Sequence, residues 1–236
     1  DALGSLAGAL GDIVAVIGFV DRQGHHLYNA AAVTCRGLIH GVYRKILLPN
    51  YGVFDEKRYF QAGSAIPVFR YGDLCFGVNI CEDIWFAEGP TKVQASLGAK
   101  VILNINASPF HAGKMRVRAK IVRRQAVENG LFVFYVNLVG GQDELVFDGQ
   151  SLVFNPQGNL ITTGFPFRED LLLVDIHRGL VPCRDEGRPK GETGHHIVVD
   201  DDPPVRRRQI VSREEPKPLK PVAEVFEALR MGLGNY

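Results

Sequence analysis

Along the first three-quarters of the chain, short apolar runs alternate with longer amphipathic ones, the pattern of strands interleaved with helices in an α/β layered fold. Apolar runs of strand length predict β-strands at Ile13 to Val20, Ala30 to Cys35, Leu38 to Tyr43, Leu74 to Ile80, Val101 to Asn106, Leu131 to Val136, Ser151 to Asn155 and Leu171 to Ile176. Arg36-Gly37 and Pro156-Gln157-Gly158-Asn159 interrupt them and predict two hairpin turns. Helical spacing predicts helices from about Thr91 to Leu97 and from Lys114 to Glu128, with Gly98 and Gly130 just past their ends. In the longer helix Met115, Ala119, Val122 and Ala126 share one face. Lys114, Arg116, Arg118, Lys120, Arg123 and Arg124 fill the others, which reads as a solvated or subunit-facing basic surface.

Beyond Ile176 the pattern changes. The charged, glycine-containing stretch Arg184 to Glu192, the opposed blocks Asp200-Asp201-Asp202 and Arg206-Arg207-Arg208, and the prolines Pro216, Pro218 and Pro221 read as a solvated linker over 179–220. Val222, Val225, Phe226, Leu229 and Leu233 then recur at helical spacing after a proline suited to a first helical position, so 221–236 is expected as a helix apart from the domain of 1–178.

Composition narrows the function classes. The 236 residues are 46% hydrophobic and 22% charged, enough for one large core plus a tail. A formal net charge of +1 argues against general nucleic-acid binding. No apolar run approaches the roughly 18 residues of a membrane span and the opening residues do not form a signal peptide, so no membrane partner and a cytoplasmic location are expected. The four cysteines at 35, 75, 81 and 183 lack the paired spacing of a zinc site and suggest neither a metal nor a disulfide framework. Cys35 and Cys75 sit in apolar surroundings and read as inert core thiols.

Cys81 is different. It stands where the apolar run Leu74 to Ile80 ends and the acidic, helix-starting pair Glu82-Asp83 begins. A sharp strand-to-helix turn lifts one side chain into a cleft and leaves the backbone N–H of the next residue, Glu82, free to donate to an oxyanion. Cys81 is therefore the candidate nucleophile. A free thiol has a pKa near ~8.5 and the two acids after it disfavour the thiolate, so a cation is needed nearby; Lys45 is expected to offset them. Histidine is the commoner activator of a thiol, but only His40 and His111 lie near these segments and neither has an obvious carboxylate to orient it.

The stretch Tyr43-Arg44-Lys45-Ile46-Leu47-Leu48-Pro49-Asn50-Tyr51-Gly52-Val53-Phe54-Asp55-Glu56-Lys57-Arg58-Tyr59-Phe60, together with Asn79-Ile80-Cys81-Glu82-Asp83, resembles the nitrilase superfamily of carbon–nitrogen hydrolases, and within it the glutamine-hydrolysing domains of glutamine-dependent NAD synthetases. The likeness runs from about Ile13 to Ile176 and implies an α-β-β-α sandwich, pairing with a second copy through its outer helices, as a homo-oligomer. It implies a Glu-Lys-Cys triad, with Lys45 and Cys81 as two members. Lys45 and the N–H of Glu82 would hold the oxyanion, and Glu56 would orient Lys45 and substrate. Tyr51, Ser108 and Lys114 fall at the positions of the glutamine-binding set; without the resemblance their plainer readings are packing, a turn residue and an exposed lysine. The third triad member, a general-base glutamate, has no counterpart before Lys45, where Asp1, Asp12 and Asp21 are the only acids. The expectation is a sandwich truncated at its N-terminus, with that glutamate upstream of residue 1 and the isolated fragment inactive.

On the same resemblance the expected function is hydrolysis of the side-chain amide of L-glutamine through a Cys81 thioester. The ammonia would go to a C-terminal synthetase domain of the same polypeptide, which amidates deamido-NAD to NAD. ATP, Mg2+ and deamido-NAD belong to that domain, whose opening helix 221–236 resembles; no cofactor is expected in the present chain. Two alternatives stay open, a free-standing amidase on another carbon–nitrogen substrate and a non-catalytic scaffold.

Overall fold

The computed structural model describes residues 2–177, 194–201 and 215–235. In chain order the first elements are α1 (Ala2–Ala9), β1 (Ala15–Gln23), β2 (His26–Cys35), β3 (Leu38–Arg44), β4 (Ile66–Tyr71), β5 (Leu74–Ile80), α2 (Pro90–Ser96) and β6 (Val101–Asn106). They are followed by α3 (Lys114–Asn129), β7 (Phe132–Asn137), β8 (Val139–Gln142), β9 (Leu145–Asp148), β10 (Leu152–Phe154), β11 (Leu160–Thr163), β12 (Gly194–Asp200) and α4 (Pro221–Gly234). The chain divides into two units, 1–103 with 177–206 and 104–176 with 207–236, and β6 runs from the first into the second.

The first unit begins with an antiparallel meander in which β1 pairs with β2 (Ala15↔Thr34) and β2 with β3 (Ala30↔Arg44). The β2–β3 turn is the expected Arg36-Gly37, with φ of 49° and 78°, the left-handed pair that a two-residue hairpin needs. A second group of strands packs against this meander. In it β4 runs antiparallel to β5 (Val68↔Gly77) and parallel to β12 (Gly194↔Ile66). The inner positions Ala31, Ala32, Val33, Tyr43, Val68, Phe69, Phe76 and Val78 are buried, and Phe69 stacks on Phe76 at 5.5 Å between centroids. Two sheets with alternating inward apolar residues thus form a sandwich core. Helix α2 lies on β4 and β5, and it comes so close that a Cβ on Gly77 would sit 2.6 Å from Gln94.

In the second unit β10 pairs antiparallel with both β7 (Leu152↔Tyr135) and β11 (Leu152↔Thr163), and β8 and β9 form a separate hairpin. Helix α3 covers β7 and β10, and α4 lies on β8 and β9. Gly130 ends α3 in the left-handed conformation (φ 64°), as its position after the helix predicts.

Several expectations are corrected. Leu171 to Ile176 forms no strand. The stretch read as linker contains β12. Its Asp200 forms an ion pair with Arg36 (2.9 Å) and is largely shielded at the sheet edge, while the following Asp201 pairs with Arg70 but stays exposed, so of the described part of the Asp200-Asp201-Asp202 block Asp200 docks on the sheet. Pairing with β4 satisfies backbone groups that a solvated linker would leave to water. Arg118, assigned to the solvated face of α3, is 1% exposed, because a buried carboxylate on β9 compensates its charge. Cys75 is buried but disulfide-bonded, not an inert thiol; the free cysteines among the described residues are Cys35 and Cys81. The arginine block 206–208 and Cys183 lie outside the described residues.

Candidate active site

Strand β5 delivers Cys81 to its end, and a short 3-10 turn, Cys81–Ile84, follows at once. Cys81 itself has φ of 45°. A non-glycine residue in the left-handed region is uncommon, and a strained strand-to-helix turn of this kind presents a nucleophile. The strand is pinned from behind. Asn79 donates to the hydroxyl of Thr91 (3.0 Å) and to Gln94 Oε1 (3.2 Å), both on α2 and both fully buried.

Lys45 follows directly on β3. Its backbone is held by Asn29, whose carbonyl accepts from Lys45 N–H (2.8 Å), and by Gly63, whose N–H donates to the Lys45 carbonyl (2.8 Å). The Lys45 side chain is wholly buried and its ammonium donates to Glu56 Oε1 at 2.5 Å. Glu56 begins a short 3-10 turn, Glu56–Arg58, and its other oxygen, Oε2, is buried without a hydrogen-bond partner. A buried carboxylate oxygen left unsatisfied is a position where a ligand donor fits.

These groups act on one another. Burial pushes the Cys81 thiol up to about 11; Lys45 pulls it down, and Glu82, Glu56 and Asp83 push it up further. Lys45 therefore reaches the sulfur electrostatically but does not offset the opposing effects, because loss of solvation, which the sequence does not display, is the largest of them. Cys81 rests as a thiol and needs a base to ionise it.

The three carboxylates around it are engaged. Glu56 holds Lys45. Glu82, 6% exposed, accepts from the Tyr51 hydroxyl at 2.6 Å. Asp83, fully buried, accepts from Tyr43 Oη (2.8 Å), Leu47 N–H (2.8 Å), Ile80 N–H (3.1 Å) and Ile46 N–H (3.2 Å). Burial raises the Asp83 pKa to about 6 against the lowering effect of these donors and of Lys45. The Tyr51 hydroxyl is also raised, first by burial and then by Glu82, although its ring is largely exposed.

Of the residues singled out in the sequence, Cys81, Lys45, Glu56, Glu82 and Tyr51 thus meet in the first unit. Ser108 and Lys114 belong to the second. There Ser108 is buried, its hydroxyl accepts from Arg118 Nε (3.2 Å) and its carbonyl from Arg118 Nη2 (2.7 Å). Arg118 also makes a two-pronged pair with Asp148 (2.7 and 2.8 Å). Lys114 is half-buried at the start of α3. His40 is turned to the Cys35 carbonyl (3.2 Å) and His111 is exposed in the second unit. No group of three or more potential metal ligands occurs among the described residues. No helix among them is long and apolar enough to cross a membrane.

Sequence reasoning missed Asp83, Tyr43 and Asp148. Their signal was available in one form: each polar group sits amid apolar or strand residues where a satisfied partner is required.

A strained cysteine near a buried lysine–glutamate pair, at the end of a strand in an α/β sandwich, is the arrangement that the resemblance to the nitrilase superfamily implies. A family profile described as Carbon-nitrogen hydrolase matches residues 6–182, and the chain belongs to that family. It is 46% identical over 234 residues to a glutamine-dependent NAD(+) synthetase of Thermotoga maritima and 38% identical over 235 residues to one of Aquifex aeolicus, in each case over 95% of the present chain and 40% of the relative. The chain thus spans about two-fifths of the length of these relatives. Among solved structures, a glutamine-dependent NAD+ synthetase from Acinetobacter baumannii superposes on the whole chain with a TM-score of 0.80 at 36% identity, over 39% of its own length. An amidase of the nitrilase superfamily from Nesterenkonia AN1 superposes on 70% of the chain with a TM-score of 0.62 at 28% identity, over 62% of its own length. The fold is the nitrilase fold.

Proposed function

We propose that this chain is the glutaminase portion of a glutamine-dependent NAD synthetase. It hydrolyses the side-chain amide of L-glutamine and supplies ammonia for the ATP-dependent amidation of deamido-NAD. The observation that carries the reading is the left-handed Cys81 beside the buried Lys45–Glu56 pair, in a chain whose close relatives bear that name. A second support comes from the Nesterenkonia amidase, one of whose structures shows covalent addition of an acetamide moiety at its active-site cysteine.

The thiol proton of Cys81 passes to a base as sulfur attacks the amide carbon, and the carbonyl oxygen becomes an oxyanion held by the Lys45 ammonium and the Glu82 N–H. Such a donor is typically worth about 3 kcal/mol. Collapse breaks the C–N bond once the nitrogen is protonated, releasing ammonia and leaving a γ-glutamyl thioester, because an amide anion is too poor a leaving group. Water then cleaves the thioester to glutamate and restores the thiol. Glu56 keeps Lys45 oriented and offers Oε2 to the substrate. With Glu56, Glu82 and Asp83 already engaged, the base is assigned to a further carboxylate, the one that the family resemblance implies. Tyr51, Ser108 and Lys114 are assigned to binding the substrate, and ATP, Mg2+ and deamido-NAD to the synthetase portion, with no residue of this chain. A cytoplasmic homo-oligomer belongs to the same reading.

The test is Cys81→Ala in the full-length polypeptide. Glutamine-driven NAD formation should vanish while ammonia-driven formation persists. Equal loss of both, or survival of the glutamine-driven reaction, would overturn the assignment.

A further inference from the structure

Asp83 has no part in the reaction just described, yet its carboxylate touches both segments that do. Oδ1 accepts from the N–H groups of Ile46 and Leu47, the two residues that follow Lys45. Oδ2 accepts from Ile80 N–H, the residue before Cys81, and from Tyr43 Oη, two residues before Lys45. All four donors are therefore within two residues of the nucleophile or of its cation. Ile46 and Leu47 lie beyond the end of β3 and Cys81 just past the end of β5, whereas Tyr43 and Ile80 are residues of those strands, so the carboxylate links the two strand ends to the segments that leave them.

We propose that Asp83 is the positioning residue of the site, a buried carboxylate that ties the Lys45 segment to the Cys81 turn and so sets the distance between ammonium and sulfur. The proposal deepens the glutaminase reading and rests on it for the reaction, though not for the geometry. Four donors satisfy the carboxylate, yet an ionised carboxylate in so dry a place still opposes folding relative to an apolar residue. The groups that face Asp83 are Tyr43 and the Ile46 and Leu47 amides from the β3 side, Ile80 from β5, and the Lys45 charge. Such a group is retained for what it holds in place.

Charge and clamping predict opposite signs, which makes the test sharp. The Asp83 charge disfavours the Cys81 thiolate. If charge were its whole effect, Asp83→Asn would make Cys81 more acidic and speed its alkylation. If it is a clamp, an amide nitrogen facing the Ile80 N–H breaks one bond, the two segments separate, Lys45 loses its hold on the sulfur and alkylation slows.

The experiment uses the full-length polypeptide, iodoacetamide as probe, and mass spectrometry to read alkylation at Cys81 as a function of pH. Asp83→Asn should slow alkylation at neutral pH about ten-fold, shift its pH profile upward, and lower kcat for glutamine hydrolysis about thirty-fold with KM changed less than about three-fold. Alkylation that is unchanged or faster overturns the proposal. Should Asp83→Asn fail to fold, Tyr43→Phe carries the test. It removes one donor and should slow alkylation about three-fold, whereas an unchanged rate overturns the clamp. Alkylation needs no substrate, so it decides on Asp83 even if Cys81→Ala shows that the glutaminase reading is wrong.

Discussion

Lys45–Glu56 in the first unit and Arg118–Asp148 in the second are both buried cation–carboxylate pairs, but they are finished differently. Arg118 spends its guanidinium on both oxygens of Asp148, on the Ser108 hydroxyl and on the carbonyls of Ser108 and Pro109, while Asp148 also accepts from Gln150 (2.7 Å). The side chains are 0% and 1% exposed. In the other pair Glu56 keeps one oxygen without a partner and a side chain 18% exposed, next to a cysteine held in a strained conformation. A closed network rigidifies; an open one leaves an acceptor for something else. The contrast separates a closed ion pair that holds a fold from an open one that, on the proposed reading, meets a ligand; the sequence marks the second through its motif and leaves the first looking like charged residues near apolar runs.

The sharpest way to break that contrast is to remove one member of each pair. Asp148→Ala strands the Arg118 charge in a dry interior and should cost about 3–5 kcal/mol of stability, read as a lower denaturant midpoint with unchanged slope. Lys45→Met should cost less than about half of that, because the Glu56 carboxylate can turn to solvent. Its damage should fall on function, with glutamine hydrolysis slowed about a thousand-fold. If the two substitutions cost the same stability, or if Asp148→Ala leaves the midpoint in place, the distinction between holding and meeting is lost.

A smaller effect sharpens the comparison from the side of pH. Asp83, unlike Asp148, faces one cation only at a distance, and burial lifts it to about 6 from an ordinary value near 3.8. The folded protein then binds this proton more tightly than the unfolded chain, so the contribution of Asp83 to stability is fully present below pH ~4 and is lost as pH rises through ~6. The shift corresponds to roughly 3 kcal/mol. Unfolding of wild type and Asp83→Asn compared across that window should show the variant gaining relative stability by this order as pH rises. A difference that stays flat, or that moves the other way, contradicts the burial argument.

Legibility followed the same division. Strand β5 and its cysteine, the Arg36-Gly37 turn, α3 and its glycine stop were visible because apolar period and turn chemistry are local. Lys45 and Glu56 were visible through a long particular motif. What stayed hidden depends on partners distant in sequence. Arg118 looks like any basic residue on a helix until Asp148, thirty positions on, accepts its charge. Strand β12 looks like linker because its neighbour β4 is more than a hundred residues earlier. The acidity of Cys81 was misjudged for the same reason: the neighbouring charges are in the sequence, but the absence of water around the sulfur is not.

Tyr51→Phe should give the smallest effect and the finest discrimination. The ring is largely exposed and stacks edge-on with Phe54 at 5.9 Å, and only its hydroxyl reaches inward, to Glu82. Losing one hydrogen bond to the buried Glu82 carboxylate should cost about 1.5–2 kcal/mol of stability. Kinetics then distinguish two uses of that hydroxyl. If Tyr51 binds glutamine directly, as its motif position implies, KM rises several-fold and kcat holds. If it instead anchors Glu82, whose N–H is the proposed oxyanion donor, the donor loosens where charge develops, and kcat falls while KM barely moves. The observed bond favours the second outcome, with kcat down about five-fold. A pure KM effect would return Tyr51 to the substrate and leave Glu82 held by its own turn.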